Sequence, residues 1–97
     1  MVYEWDESKR SANLKKHGLD FTDADLVMES EFVRIVNDTR PGEPRKLAFA
    51  YVFEVLVVLR VVFVDRDERC RVISFRPATR KERSAYHAWL ESDFPDQ

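Results

Sequence analysis

Cysteine, glycine and histidine are scarce in this chain of 97 residues, which holds one cysteine, two glycines and two histidines. The single thiol, Cys70, closes no internal disulfide, and its place in a strand-like run reads as a buried thiol in a reducing compartment. With glycine only at positions 18 and 42, no Gly-rich phosphate cradle can form. Neither an H-x-x-x-H nor a C-x-x-C spacing is present, so no metal motif stands up and no cofactor is expected. Uninterrupted apolar runs are short as well. The longest candidate, LAFAYVFEVLVVLRVVFV at 47–64, contains Glu54 and Arg60, each costing roughly 3 kcal/mol near a bilayer centre. It reads as two strands, with no membrane partner. No basic-then-apolar leader opens the chain, and an acid appears by Glu4, so a cytoplasmic location is the expectation.

What is present is a globular composition, 44% hydrophobic and 35% charged, in a length that supports one domain over 1–97. Net charge is only −2, so bulk cationic character does not announce nucleic acid. The distribution says more. Eight Lys/Arg against four acids lie between Arg60 and Arg83, whereas Asp20 to Glu31 holds five acids and no base. Such segregation predicts an electropositive face and an acidic one.

Periodicity and punctuation predict an α+β fold, with a short strand at Val2 to Trp5 and a helix from Ser8 to His17. Asp6 or Ser8 would start that helix and Gly18 stop it. A second helix is expected over Thr22 to Ser30, then a strand at Phe32 to Asn37 and the loop DTRPGEPR. Strands at 45–53 and 55–64 follow, joined near Phe53 and Glu54, then a strand at Arg69 to Arg76 and a helix from Thr79 to Glu91. The sheet over 32–76 should be antiparallel. Both alternating sets of the 55–64 strand are apolar apart from Arg60, which marks it as internal. In the last helix Glu82, Ala85, Tyr86, Trp89 and Leu90 share one side at helical spacing and should face the core.

Chemistry concentrates at the start of that helix. Thr79-Arg80-Lys81-Glu82 fits a capping box, yet Arg76, Arg80, Lys81 and Arg83 surround a terminus whose dipole is already positive. An anion such as phosphate would offset that crowding; solvated surface charge is the plainer reading. His17, in KKHG at the end of the first helix, is either a proton-transfer group or a C-terminal residue bonding the last carbonyls, and the dipole there favours its imidazolium. Arginines, lysines and histidine without metal ligands suit metal-free phosphodiester cleavage. They equally suit a non-catalytic module that holds a protein or nucleic acid on its basic patch. Trp5 and Trp89 read as packing residues.

Two segments, YEWDESKRSANLKKHGLDF at 3–21 and RVISFRPATRKERSAY at 71–86, together resemble the BrnT family of bacterial type II toxins. Trp5-Asp6, Asn13, Lys16-His17-Gly18, Arg66, Arg76, Ala78-Thr79-Arg80, Glu82-Arg83 and Tyr86 carry the likeness. The resemblance implies a RelE-like fold: two N-terminal helices on an antiparallel sheet of about four strands, with a closing C-terminal helix. It also implies a ribonuclease that inhibits translation and is neutralised by a BrnA-like antitoxin. His17, Arg66, Arg76 and Arg80 would be its catalytic candidates, with Lys16, Arg83 and Tyr86 on the RNA. The antitoxin is expected as a hetero-oligomer partner covering the Arg-rich face. Family members commonly carry a Tyr or His and then Thr near the end of the central strand, where this chain has Phe63-Val64. A hydroxyl or imidazole that assisted there would be absent here.

Overall fold

A computed structural model describes residues 1–38 and 41–93; residues 39 and 40 of the expected 38–45 loop lie outside the described residues. The elements run β1 (Val2–Glu4), α1 (Glu7–His17), a 3-10 turn (Phe21–Asp23), α2 (Asp25–Met28), β2 (Arg34–Asn37), β3 (Lys46–Val52), β4 (Val57–Arg66), β5 (Arg69–Pro77) and α3 (Arg80–Asp93). The protein is α+β, and its single sheet has the order β1-β5-β4-β3-β2.

Strands β2 to β5 form the expected antiparallel meander, with β4 at its centre. The sheet as a whole departs from expectation, because β1 adds a fifth strand parallel to β5, with Val2 opposite Arg69. This pairing joins the two ends of the sequence, and local pattern carries no trace of it. Between Val62 and Phe63 the β4–β5 ladder shifts by one residue, so that Ile73 is the extra residue of a bulge in β5.

Helix α1 begins where Asp6 accepts hydrogen bonds from the backbone N–H groups of Ser8 (2.8 Å) and Lys9 (3.2 Å). It ends at Gly18, whose φ of 70° is the left-handed conformation that glycine adopts at little cost. The continuous helix expected over Thr22 to Ser30 is replaced by a 3-10 turn and a single turn of α-helix. Phe21, Ala24 and Val27, all buried, recur at intervals of three, which is the 3-10 period rather than the α one. The expected strand start at 55 also moves. Residues 53–56 form the connection, with Leu56 N–H bonded to Val52 C=O and Leu56 at φ 59°, so β4 begins at Val57.

The sheet separates two apolar clusters. On one face Leu59, Val61, Phe63, Val72 and Phe75 pack with Phe21, Ala24, Val27 and Met28. On the other Phe49, Val58 and Ala78 pack with Tyr86, and Trp89 and Leu90 lie against them. Ala85, expected in the core stripe, is exposed, so α3 touches the sheet along a narrower seam than the periodicity indicates.

One side chain fixes α1 to the sheet. Asn13 donates from Nδ2 to the carbonyls of Phe75 (2.7 Å) and Leu19 (3.1 Å), while its Oδ1 accepts the Phe75 N–H at 3.1 Å. The amide thus takes the place that an adjoining strand would hold beside Phe75, beyond the end of β1. Replacing Asn13 with Ala orphans both Phe75 backbone groups, each worth ~1–3 kcal/mol when left unpaired out of water. The expected loss is about 2–3 kcal/mol in urea unfolding, against less than about 0.5 kcal/mol for the exposed neighbour Ser11→Ala.

Candidate active site

Arg60 and Arg76 stand opposite each other on the central pair of strands, β4 and β5. They lie on the α3 side of the sheet, where the capping box of α3 is formed as expected. Glu82 N–H donates to Thr79 Oγ1 (3.2 Å) and Thr79 N–H to Glu82 Oε1 (2.8 Å). The same carboxylate receives both terminal nitrogens of Arg76, at 2.9 and 3.2 Å, and Arg60 Nη1 approaches it to 3.9 Å. The cations at this helix start are therefore partly accounted for by the capping carboxylate itself. Burial alone would push the Glu82 carboxyl up; the hydrogen bonds from Arg76 and Thr79 and the nearby arginine charges bring it below its ordinary value. Two guanidiniums face one carboxylate, so the cluster keeps an excess positive charge.

Arg76 uses both N–H groups of Nη1, on Glu82 and on the Pro77 carbonyl (2.8 Å), and one of Nη2. That leaves two of its five donors for a ligand. Arg60 Nη2 reaches Ser74 Oγ at 3.4 Å. Beside this cluster the sheet face that α3 leaves open holds a cavity of about 240 Å³. Arg45, Arg60, Asp38 and Ser74 supply its polar wall, and Leu47 and Val62 its apolar one. The β5 bulge puts Ile73 and Ser74 on the lining together.

His17 closes α1 four residues after Asn13, on the same side of the helix. Its pKa is lowered, first by burial and then by the charges of Lys16, Arg76 and Arg60. The imidazolium favoured by the helix dipole is thus overruled, because three cations and partial desolvation outweigh the partial charge of a helix end. A neutral imidazole beside two arginines is equipped to accept a proton next to a bound anion.

His17 and Arg76 are brought into one electrostatic neighbourhood. Arg80 is exposed at the first turn of α3, Lys16 is exposed beside His17, and Arg83 is exposed with Nη1 on the Ala78 carbonyl (3.2 Å). Two expected site residues lie elsewhere. Arg66 ends β4, six residues beyond Arg60 and hence roughly 20 Å along the strand; it is paired with Glu43 at 2.7 Å. Tyr86 is 2% exposed, and its hydroxyl donates to the Phe32 carbonyl at 2.8 Å, so its side chain packs in the core. Arg60 was not among the expected site residues. Its signal was a lone cation inside an apolar central strand, where a charge needs a reason.

A family profile described as the ribonuclease toxin, BrnT, of type II toxin–antitoxin systems matches residues 5–82. No curated protein matches the chain in sequence. The matched span takes in Asn13, His17, Arg60, Arg76 and Glu82, the residues just described, and stops short of Arg83 and Tyr86. On a match covering most of its length, this chain belongs to the BrnT family of ribonuclease toxins of type II toxin–antitoxin systems.

Proposed function

We propose that this toxin cleaves RNA without a metal ion, using His17 as general base and Arg76, Arg60 and Arg80 to hold the scissile phosphate. The observation that carries the reading is the pair of guanidiniums, Arg76 and Arg60, gathered on the Glu82 carboxylate, with the His17 pKa lowered by burial and then by the charges of Lys16, Arg76 and Arg60. In this reaction neutral His17 takes the proton of a ribose 2′-hydroxyl, and the oxygen attacks the adjacent phosphorus. The P–O5′ bond breaks, leaving a 2′,3′-cyclic phosphate, and the departing oxygen takes a proton from water. The two remaining donors of Arg76, with Arg60 and Arg80, stabilise the extra negative charge of the phosphorane.

Lys16 and Arg83, both exposed, extend the positive surface and would follow the RNA backbone. Arg66, held by Glu43 far along β4, is a peripheral contact in this scheme. Cleavage of messenger RNA in the bacterial cytoplasm would arrest translation. A BrnA-like antitoxin would hold the toxin inactive until released. The antiparallel meander closed by α3 fits kinship with RelE-type ribonucleases, which we propose as its fold relationship.

In EDTA, His17→Ala should slow RNA cleavage by about 10²- to 10⁴-fold and Arg80→Ala by about 10- to 100-fold, while Lys81→Ala should change little. Gel analysis of a defined RNA, with phosphatase tests for the cyclic end, reads these out. Cleavage unchanged in His17→Ala, Arg76→Ala and Arg80→Ala, or lost in EDTA and restored by a divalent ion, refutes the mechanism. RNA binding without cleavage would instead support a non-catalytic module.

A pH profile tests the base directly. Because the imidazole pKa is lowered in the fold, its neutral form should persist below pH 6.5, and cleavage should fall only as pH drops through that depressed value. Replacing Lys16 with Met removes one of the cations responsible, so the acidic limb of kcat/KM should move upward toward 6.5. An unmoved limb would show that another group titrates.

A further inference from the structure

Exposed apolar side chains gather around the β3–β4 connection and the segment that follows α2. Phe53 is 78% exposed and Leu56 69%, and Val55, Val57, Phe32 and Leu26 are exposed too. Leu56 holds φ at 59°, a conformation that bulky residues avoid, in a turn without glycine or asparagine. A strained, solvent-facing leucine at a hairpin tip brings no folding benefit. Its side chain has a use if something covers it.

Two adjoining hollows, of about 350 and about 270 Å³, share Phe32, Tyr51 and Phe53 as a common wall and so form one groove. The ring of Phe53 stands edge-on to Tyr51 at 5.0 Å, which props it against the groove. The first hollow is rimmed by Asp25, Glu29, Glu31 and Glu54; no Lys or Arg lines either hollow. An RNA backbone is repelled by four carboxylates. Only His87, in the second hollow, could add positive charge. A second copy fits poorly as well, since α3, the carrier of Arg80, Lys81 and Arg83, exposes no large apolar side chain among the described residues.

We infer that this groove is the principal docking site for the antitoxin, and that it receives an amphipathic segment whose apolar anchors are flanked by Lys or Arg. The inference rests on the reading above that a dedicated antitoxin restrains this toxin, and it moves the main contact from the Arg-rich face to the acidic one. Apolar anchors fill the space between Phe32, Tyr51 and Phe53, while the basic flanks meet Glu31 and Glu54. The arginine cluster then stays outside the main anchor, so binding and catalysis can be mutated separately.

The test uses the full chain and the small protein encoded by the reading frame next to it, with affinity measured by calorimetry. Phe53→Ser and the double variant Glu31→Lys/Glu54→Lys should each weaken binding by about tenfold or more. RNA cleavage by the free variants should remain at the wild-type rate, and thermal melting should confirm their folding. The wild-type affinity should fall with added salt, and less so in the charge-reversed variant. Wild-type binding with no loss in any groove variant overturns the inference but leaves the toxin reading intact. Failure of the wild-type chain to bind the neighbouring product refutes the antitoxin reading together with the inference. A wild-type dimer that Phe53→Ser converts to monomer, with antitoxin affinity unchanged, assigns the groove to a second copy and also overturns it.

Discussion

The pairing of the Asn13 amide with both backbone groups of Phe75 is the contact on which the site depends. Without it α1 has only a weak apolar claim on the sheet, for no residue of α1 is fully buried. The amide satisfies a strand position that β1 is too short to reach, and its third bond, to Leu19, fixes the chain after Gly18. Because Phe75 lies between Ser74 and Arg76, holding its backbone also ties α1, which carries His17 one turn after Asn13, to the strand that carries Arg76. A single asparagine thus links helix-to-strand hydrogen bonding to the position of the proposed proton acceptor.

Glu82 answers why cations gather at a positive helix end. As the capping-box residue it satisfies the Thr79 N–H, and as a carboxylate it orients Arg76 through two hydrogen bonds while Arg60 stands 3.9 Å away. The helix start is therefore compensated from within, but incompletely, since one negative charge serves two guanidiniums and the helix dipole. In the proposed reaction the residual positive potential, joined to a cavity on the open part of the sheet, would attract phosphate to arginines that are already oriented. Preorganisation of this kind lowers the cost of binding a charged group.

Much of the fold was legible because it is written in local patterns. Asp6, Gly18 and the Thr79-to-Glu82 box each declare a helix end by side-chain chemistry, and the two-sided apolar run of β4 declares a central strand. What could not be read is non-local or energetic. The parallel pairing of Val2 with Arg69 joins segments 67 residues apart, and the β5 bulge at Ile73 is a matter of register between strands. The His17 pKa is lowered first by burial and then by Lys16, Arg76 and Arg60; burial and the two distant arginines cannot be read from a helix end, whose dipole alone favours the imidazolium. Tyr86, which helical spacing places on the core-facing side of α3, is buried there, while Arg60, an interruption in an apolar run, stands opposite Arg76 on the sheet.

The two faces of the sheet divide the labour. Phe21, Ala24, Val27 and Met28 seal one face and leave it to stability. On the other, α3 covers the sheet through Tyr86, Trp89 and Leu90 but not the rung of Leu47, Val62 and Ser74, so an open surface remains in the middle of the sheet. A longer or broader helix seam would bury that surface, and the exposure of Ala85 shows that the seam is narrow. The acids of the 20–31 segment follow the same logic. Asp20 caps the 3-10 turn and pairs with Arg10 at 2.7 Å, whereas Glu29 and Glu31 turn toward the groove under the β3–β4 connection. Charge segregation in the sequence therefore becomes separation in space, with the anion-attracting cluster and the acidic groove on distinct parts of one small domain. On the proposed reading, that separation would allow a ribonuclease this short to present RNA and protein partners with surfaces of opposite sign.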